Sequence, residues 1–390
     1  MKFSKDISGL ELKISKIEGF ALSSKYGDNK VFGQPKGLKS IGFICITIDN
    51  GKEGFGETYS GIYVPELIGP VASFFSNKLV GLKLIDVISN LGDFIDIPFV
   101  GFSGLIQSVK SAISVACLDV LSKSIEIPIY KLFGSKLQPI KVYISGGSVV
   151  YSPQKIYEDA NKLKDLGFNN YKMRIGHQDL NIDILRIKKA ISVFGNDKSV
   201  IVDLIEGTLK SSYDYKSLTT IFNELNNFKF NWVEEPIEPS EMKKLSFIKS
   251  ISKNPIATGE AYSGLTHFKN LINAKYIDIV QYDYTHSGDF NTCFEISEMA
   301  KLNNINQVLH VWGSSLALHS NAIFALINRN IKFLEVPSVS FELSKDISSV
   351  KYSIVDGYLN FDHDFLGTGI EINNKIRDKY KFIKNTGYSI

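Results

Sequence analysis

The 390-residue chain has only three cysteines, Cys45, Cys117 and Cys293, far apart and odd in number. They make neither a disulfide framework nor a zinc site, and they fit a reducing cytoplasm. No run of 18 or more apolar residues occurs, so no membrane span is expected. The opening "MKFSKDISGLELKISKIEGF" lacks the apolar core of a signal peptide. A surplus of either charge is also missing: 44 Lys and Arg stand against 41 Asp and Glu, a formal net charge of +3. That balance argues against nucleic acid as a partner. No glycine-rich phosphate loop follows an early strand, which weighs against an open dinucleotide-binding sheet.

What is present changes character along the chain. Near the N-terminus, "IGFICITIDNGKEGFGETY" predicts two strands joined at an Asn-Gly turn. Helical patterns follow to about residue 133, the clearest being "GLIQSVKSAISVACLDVLSKS", and no catalytic cluster lies there. From about residue 140, short apolar segments alternate with helical ones: "KVYISGG", "NNYKMRIG", "SVIVDLIEG", "FNWVEEP", "NPIATGEAY", "YIDIVQYD", "INQVLHVWG" and "IKFLEVP". In "SPQKIYEDANKLKDLG", Ser152 predicts an N-cap, Ile156, Ala160, Leu163 and Leu166 an inner face, and Gly167 the stop. Eight strands alternating with helices predict an α/β fold closed into a barrel.

Active sites of such barrels lie at the C-terminal ends of the strands. Read in order, the second strand ends in Lys172 and Arg174, the third in Asp203, the fourth in Glu234 and Glu235, and the fifth in Glu260. The sixth ends in Asp283, the seventh in His310 and the eighth in Glu335. One charged strand end is commonly a structural ion pair. Seven in succession point to chemistry. Asp203, Glu234 and Glu260 form an all-oxygen set that suits magnesium better than zinc. Asp283 beside His310 would fix the ring's tautomer and raise its basicity, making a general base. Lys172 and Arg174 would stabilise a developing enediolate together with the cation. Glu335 would either hydrogen-bond a substrate oxygen, if protonated, or orient a cation. His177 and His286 fall just past strand ends, where solvated loop histidines are common.

These motifs resemble the enolase superfamily, in its mandelate racemase and muconate lactonizing enzyme branch. The resemblance rests on "YKMRIG", "VDLIEG", "WVEEPIEP", "ATGEAY", "IVQYDYTHSGD", "LHVWGSS" and "FLEVP". Outside the barrel it rests on "GFGETY", "AISVACLDVLSKSIEIPIYKLFG" and "FLGTGIEI". It implies a modified (β/α)7β TIM-type barrel over residues 139–340. It also implies an N-terminal α+β capping domain, residues 1–138, completed by the tail, residues 341–390. It makes Asp203, Glu234 and Glu260 magnesium ligands with Glu235 behind them, Asp283 and His310 the acid–base dyad, and Glu335 a substrate contact. Cap loops around Ser24–Lys30 and Tyr59–Tyr63 would choose the substrate, so Tyr26, Tyr59 and Tyr63 are expected contacts, with Trp312 lining the pocket. Dimers or octamers are usual in this branch.

Two positions depart from the pattern. Arg174 stands where the racemases place a second, basic lysine, and a guanidinium is a poor base. Ile205 stands where the third strand often has Asn, with Glu206 beyond it as a replacement contact. The expected activity is therefore one-base: a magnesium-dependent lyase that removes the α-proton of a sugar acid and eliminates water. The alternatives are a sugar-acid lactone cycloisomerase, a racemase or epimerase if Lys172 serves as second base, and a binding protein without catalysis.

Overall fold

The computed structural model describes the whole chain except residues 1, 2, 5, 6, 8, 28–36, 177, 178, 210–212, 340 and 390, with the backbone alone at 209. Part of the first cap loop and His177 thus lie outside the described residues.

Three strands, β1 (Ile14–Lys25), β2 (Leu38–Ile48) and β3 (Glu53–Thr58), form an antiparallel sheet in that order. The expected turn between β2 and β3 is there, with Gly51 at a φ of +82°. The helix Leu105–Ile125 packs across β3. Contact is close because Gly54 and Gly56 have no side chain: a Cβ at either would collide with the carbonyls of Ala116 and Ala112. This helix is long and apolar enough to cross a membrane, but 89% of its most apolar window is buried inside the protein. Its burial on nearly every side explains why it lacks a polar face.

Eight parallel strands follow: β4 (Ile140–Ser145), β5 (Tyr171–Arg174), β6 (Val200–Asp203), β7 (Val233–Glu234), β8 (Ile256–Thr258), β9 (Ile279–Tyr282), β10 (Asn306–Leu309) and β11 (Ile331–Pro337). Each pairs with its sequence neighbour, and β11 pairs back onto β4 with Glu335 opposite Tyr143, closing the barrel. A helix spans each of the seven gaps between successive strands, for example Pro153–Asp165 and Ser315–Ile327.

Ser152 Oγ accepts a hydrogen bond from Lys155 N and caps the first of these helices. Ile156, Ala160 and Leu163 are buried as the spacing predicts. Leu166 is not; it is exposed. The helix ends at Asp165, so the face stops one turn early and Phe168 takes the buried place. Inside the barrel, Tyr143, Ile201, Trp232, Ala257, Ile279 and Val308 form a separate apolar plug, with Phe333 against it. Side chains two apart on a strand share a face, so Trp232 lies directly beneath Glu234.

After the barrel, β12 (Tyr352–Val355) and β13 (Tyr358–Phe361) form a hairpin whose second strand pairs antiparallel with β4. The chain then runs back to the three-stranded sheet. Leu22 bridges to Lys381, Arg377 Nη1 lies 3.0 Å from Glu18, and Tyr388 N donates to Ile62 O. This return brings Tyr388 to the mouth of the barrel.

Candidate active site

Lys172 and Arg174 project inward from the end of β5, two residues apart. Lys172 is 1% exposed. Its ammonium lies 3.3 Å from Asp203, 3.2 Å from Glu335 and 3.8 Å from Glu260, and it hydrogen-bonds Glu234. Burial would lower its pKa, but the four carboxylates outweigh burial and hold it well above the usual lysine value. Arg174 donates to Gly146 O and Ser145 Oγ, both at 3.1 Å, and lines the cavity.

The carboxylates come from neighbouring strands. Asp203 and Glu234 end β6 and β7 in register, and Glu260 lies just past β8. The barrel plug supports two of the rim's acids from below: Trp232 Nε1 donates to Glu234 at 3.0 Å, and Tyr143 OH to Glu335 at 3.0 Å. Burial, together with repulsion from neighbouring acids, raises the pKa of Asp203, Glu234 and Glu260 despite Lys172. Among the described residues, no three His, Cys, Asp or Glu side chains already form a metal-holding group. The physical reason is Lys172, whose ammonium takes the centre that the acids surround. The set nonetheless fits a hard cation. All its donors are oxygens, and Glu260 Oε2 is buried without a hydrogen-bond partner.

Across the rim, His310 Nδ1 lies 3.1 Å from Asp283 Oδ2. A carboxylate only accepts, so Nδ1 carries the hydrogen and Nε2 faces Glu260 at 3.5 Å. Asp283 is itself fixed: its Oδ1 accepts from Thr285 N, Thr285 Oγ1 and Asn321 Nδ2, each at 2.8 Å. Burial lowers the His310 pKa, but Glu260, Glu335 and Asp283 push it up to about 9. Burial would raise Glu335; Lys172, His310 and Arg174 bring it down to about 2. Glu335 accepts hydrogen bonds from Tyr143 OH and Val311 N.

The cavity in front of these groups encloses about 870 Å³, including its open mouth. Tyr26, Tyr59, Tyr63 and Trp312 line it. Glu206 does not. It is fully buried, in the field of Lys244 and Glu241, and burial raises it to about 7. Ile205 and Thr208 face the cavity instead. Ile205 adopts a φ of +47°, an unusual conformation for a β-branched residue, with its N–H held by Asp203 Oδ1. Glu235 turns into an adjoining cavity that also touches Glu260, Tyr59 and His286. It accepts from Thr258 Oγ1 at 2.7 Å, and burial followed by Glu260 raises it to about 8.

Sequence reasoning missed Tyr388, Ser145, Asp159 and Ser338, which also line the cavity. Only Ser145 carried a signal, as the residue closing a barrel strand. Lys39 was missed as well. It is fully buried on β2, with its ammonium 4.2 Å from the Trp312 ring and 4.5 Å from the Tyr26 ring, and it donates to Trp312 O. Nearby Glu57 accepts from Ser314 N at 2.9 Å and from Ala317 N at 3.2 Å, capping the helix that follows His310.

A closed parallel barrel with an acid-lined rim and a separate antiparallel cap sheet is the architecture of the enolase superfamily. The chain belongs to the enolase C-terminal domain-like family, whose model matches residues 155–376. Similar curated proteins include an N-succinyl-L-Arg/Lys racemase from Bacillus cereus, 24% identical over 351 residues, covering 88% of this chain and 90% of that protein. An arabinonate dehydratase from Saccharolobus solfataricus is 26% identical over 288 residues, covering 72% of this chain and 74% of that one. The crystal structure of a 3,6-anhydro-D-galactonate cycloisomerase from Zobellia galactanivorans shares the fold, with a TM-score of 0.82 at 24% identity, over 94% of this chain and 99% of that one. The family relatives thus span racemases, dehydratases and cycloisomerases, all at low identity. Solved structures of this fold include several with bound magnesium.

Proposed function

We propose that this protein removes the α-proton of a sugar-acid carboxylate and then eliminates a β-oxygen, as an acid-sugar dehydratase. The observation that carries this reading is the His310–Asp283 pair facing the same cavity as Arg174, with the acid-ringed Lys172 between. Asp203, Glu234 and Glu260 would hold magnesium, with Glu235 behind, and the bound cation would stabilise charge growing on the substrate carboxylate and offset the acidic field that holds His310 protonated. Arg174 would bind the substrate carboxylate, since it alone of the two cations reaches the open cavity. Asp283 holds the ring so that Nε2 points at the substrate. His310 Nε2 takes the C2 proton. The C3 hydroxyl then leaves with a proton returned by the imidazolium, so one water departs. The remaining enol tautomerises to a 2-keto-3-deoxy acid.

A two-base racemase fits less well. Lys172 is tied up by four carboxylates, and Arg174 does not give up its proton. We also assign residues 1–138 to the cap, 139–340 to the barrel and 341–390 to a tail that completes the cap. This division agrees with the contacts of Arg377 and Tyr388.

His310→Asn tests the assignment. It keeps a donor toward Asp283 and removes the base. Exchange of the C2 proton with deuterium oxide, followed by proton NMR on a panel of sugar acids with magnesium, should fall by about 10²–10⁴-fold. Exchange near the wild-type rate would rule out His310 as the base.

A further inference from the structure

Among the described residues, Arg174 is the only lysine or arginine that lines the cavity. In the reading above it takes the substrate carboxylate. Three acids line the same cavity: Asp203, Glu260 and Asp159. The first two belong to the proposed cation site. Asp159 does not. It lies on the helix Pro153–Asp165, outside the ring of strand ends, and no step of the proposed reaction uses it. Much of the remaining wall is rings, from Tyr26, Tyr59, Tyr63, Trp312 and Tyr388.

Asp159 is held at the cavity by its own set of contacts. Its Oδ2 accepts from Gly147 N at 3.0 Å and from Tyr171 OH at 2.8 Å. Both bonds fall on one oxygen, which leaves the lone pairs of Oδ1 for a donor in the cavity. The close approach depends on two glycines. A Cβ at Gly146 would sit 2.7 Å from Asp159 Oδ2, and Gly147 turns through a φ of +54°. Arg186 braces this turn from behind, donating to Ser148 O at 2.6 Å. Arg186 is fully buried and paired with Asp183 at 2.5 Å, and it does not line the cavity. A carboxylate only accepts, so Asp159 suits the hydroxyls of a sugar acid. A second carboxylate on the substrate would leave water for a cavity with no cation left to meet it, and with Asp159 repelling it.

We infer that Asp159 is a specificity-determining residue: it accepts hydrogen bonds from the hydroxyls of a sugar acid with one carboxylate and excludes the diacid that carries one at each end. The inference rests on the α-proton reading above and adds the residue that selects among its substrates. Aldonic acids of five and six carbons are compared with the aldaric acids that differ from them only at the terminal carbon, a primary alcohol against a carboxylate. Reactivity is read by C2 proton exchange in deuterium oxide with the magnesium-loaded enzyme. The best aldonate should have a kcat/KM about tenfold or more above that of its aldaric partner. Asp159→Asn keeps an acceptor for Gly147 N and Tyr171 OH and removes the charge. It should lower kcat/KM for the aldonate by about three- to tenfold and bring the ratio toward one. Ser148→Lys, which puts a cation on the same turn, should move the ratio toward the aldarate. An aldarate that reacts as well as its aldonate in the wild type overturns the exclusion while the proton-abstraction reading stands. A ratio unmoved by Asp159→Asn overturns the role of Asp159, and where that variant does not fold, a ratio unmoved by Ser148→Lys does so. Absence of exchange from every acid overturns both readings.

Discussion

The barrel side of the cavity is built from charges and the cap side from rings, and the two are held in place differently. On the barrel side, each group sits at the end of a strand whose register is set by backbone pairing, as with Arg174 opposite Asp203 and Glu335 opposite Tyr143. A plug of buried rings braces the acids from below. On the cap side, Tyr26, Tyr59, Trp312 and Tyr388 come from four distant stretches of chain; Trp312 meets Tyr59 and Tyr388 edge to face and donates its Nε1–H to Tyr26 OH. The barrel side therefore concentrates charge at fixed points, where chemistry needs it, and the cap side shapes space. Substitutions on the first should strike rate and stability together. Those on the second should strike recognition.

The largest effect is expected at Lys172, where the barrel side is most highly charged. Lys172→Met leaves three buried carboxylates and the partly exposed Glu260 facing one another without their shared ammonium. Breaking a buried ion cluster from one side costs about 3–5 kcal/mol. Thermal unfolding with and without magnesium chloride checks this. The variant should melt well below wild type without magnesium and gain more from magnesium than wild type does. A Tm unmoved in both conditions would mean that Lys172 does not neutralise the acids.

A middle-sized effect belongs to Asn321, which touches no substrate and positions Asp283. Its Nδ2 donates to Asp283 Oδ1 at 2.8 Å, and its Oδ1 accepts from Tyr284 N at 2.9 Å. Asn321→Ala should destabilise by about 1–3 kcal/mol through unsatisfied buried groups. It should also lower kcat by about tenfold, because the dyad loses one of its three restraints. KM should change far less. If KM rises while kcat holds, Asn321 serves the pocket's shape, and the division between the two sides fails there.

The same division explains what could be read from the sequence. Each barrel strand announces itself within a few residues, and its last polar side chain must point to one rim. Asp203, Glu234, Glu260, Asp283, His310 and Glu335 were therefore legible from local pattern alone. The position of the Lys172 ammonium was not, since strand periodicity gives a direction but not which acids it reaches. Glu206 misled because the turn after β6 carries Ile205 through a left-handed conformation, and the counting of faces breaks there. Leu166 misled because its helix ends at Asp165. Tyr388 left no trace, because its place depends on the tail crossing back to the cap, where its N–H meets Ile62 O.

The smallest effect should come from Lys39, and it tests the cap side most cleanly. This buried lysine has no carboxylate within 4.0 Å among the described residues, and burial lowers its pKa to about 7 in spite of nearby Glu57. Its partners are the Trp312 carbonyl and the faces of Trp312 and Tyr26. Lys39→Met keeps the stem and removes the ammonium, so a desolvated cation and a cation–π contact of about 0.5–2 kcal/mol disappear together. These terms oppose each other, and Tm should move little. Trp312 loses the charge over its ring, so tryptophan emission should shift, with Trp232 buried in the barrel plug as an unaffected background. KM should rise a few-fold as the wall loosens, and kcat should stay within about twofold, because His310 and Asp283 keep all their barrel contacts. A fall in kcat as deep as that of Asn321→Ala would show that the cap sets the geometry of the base as well as the shape of the pocket.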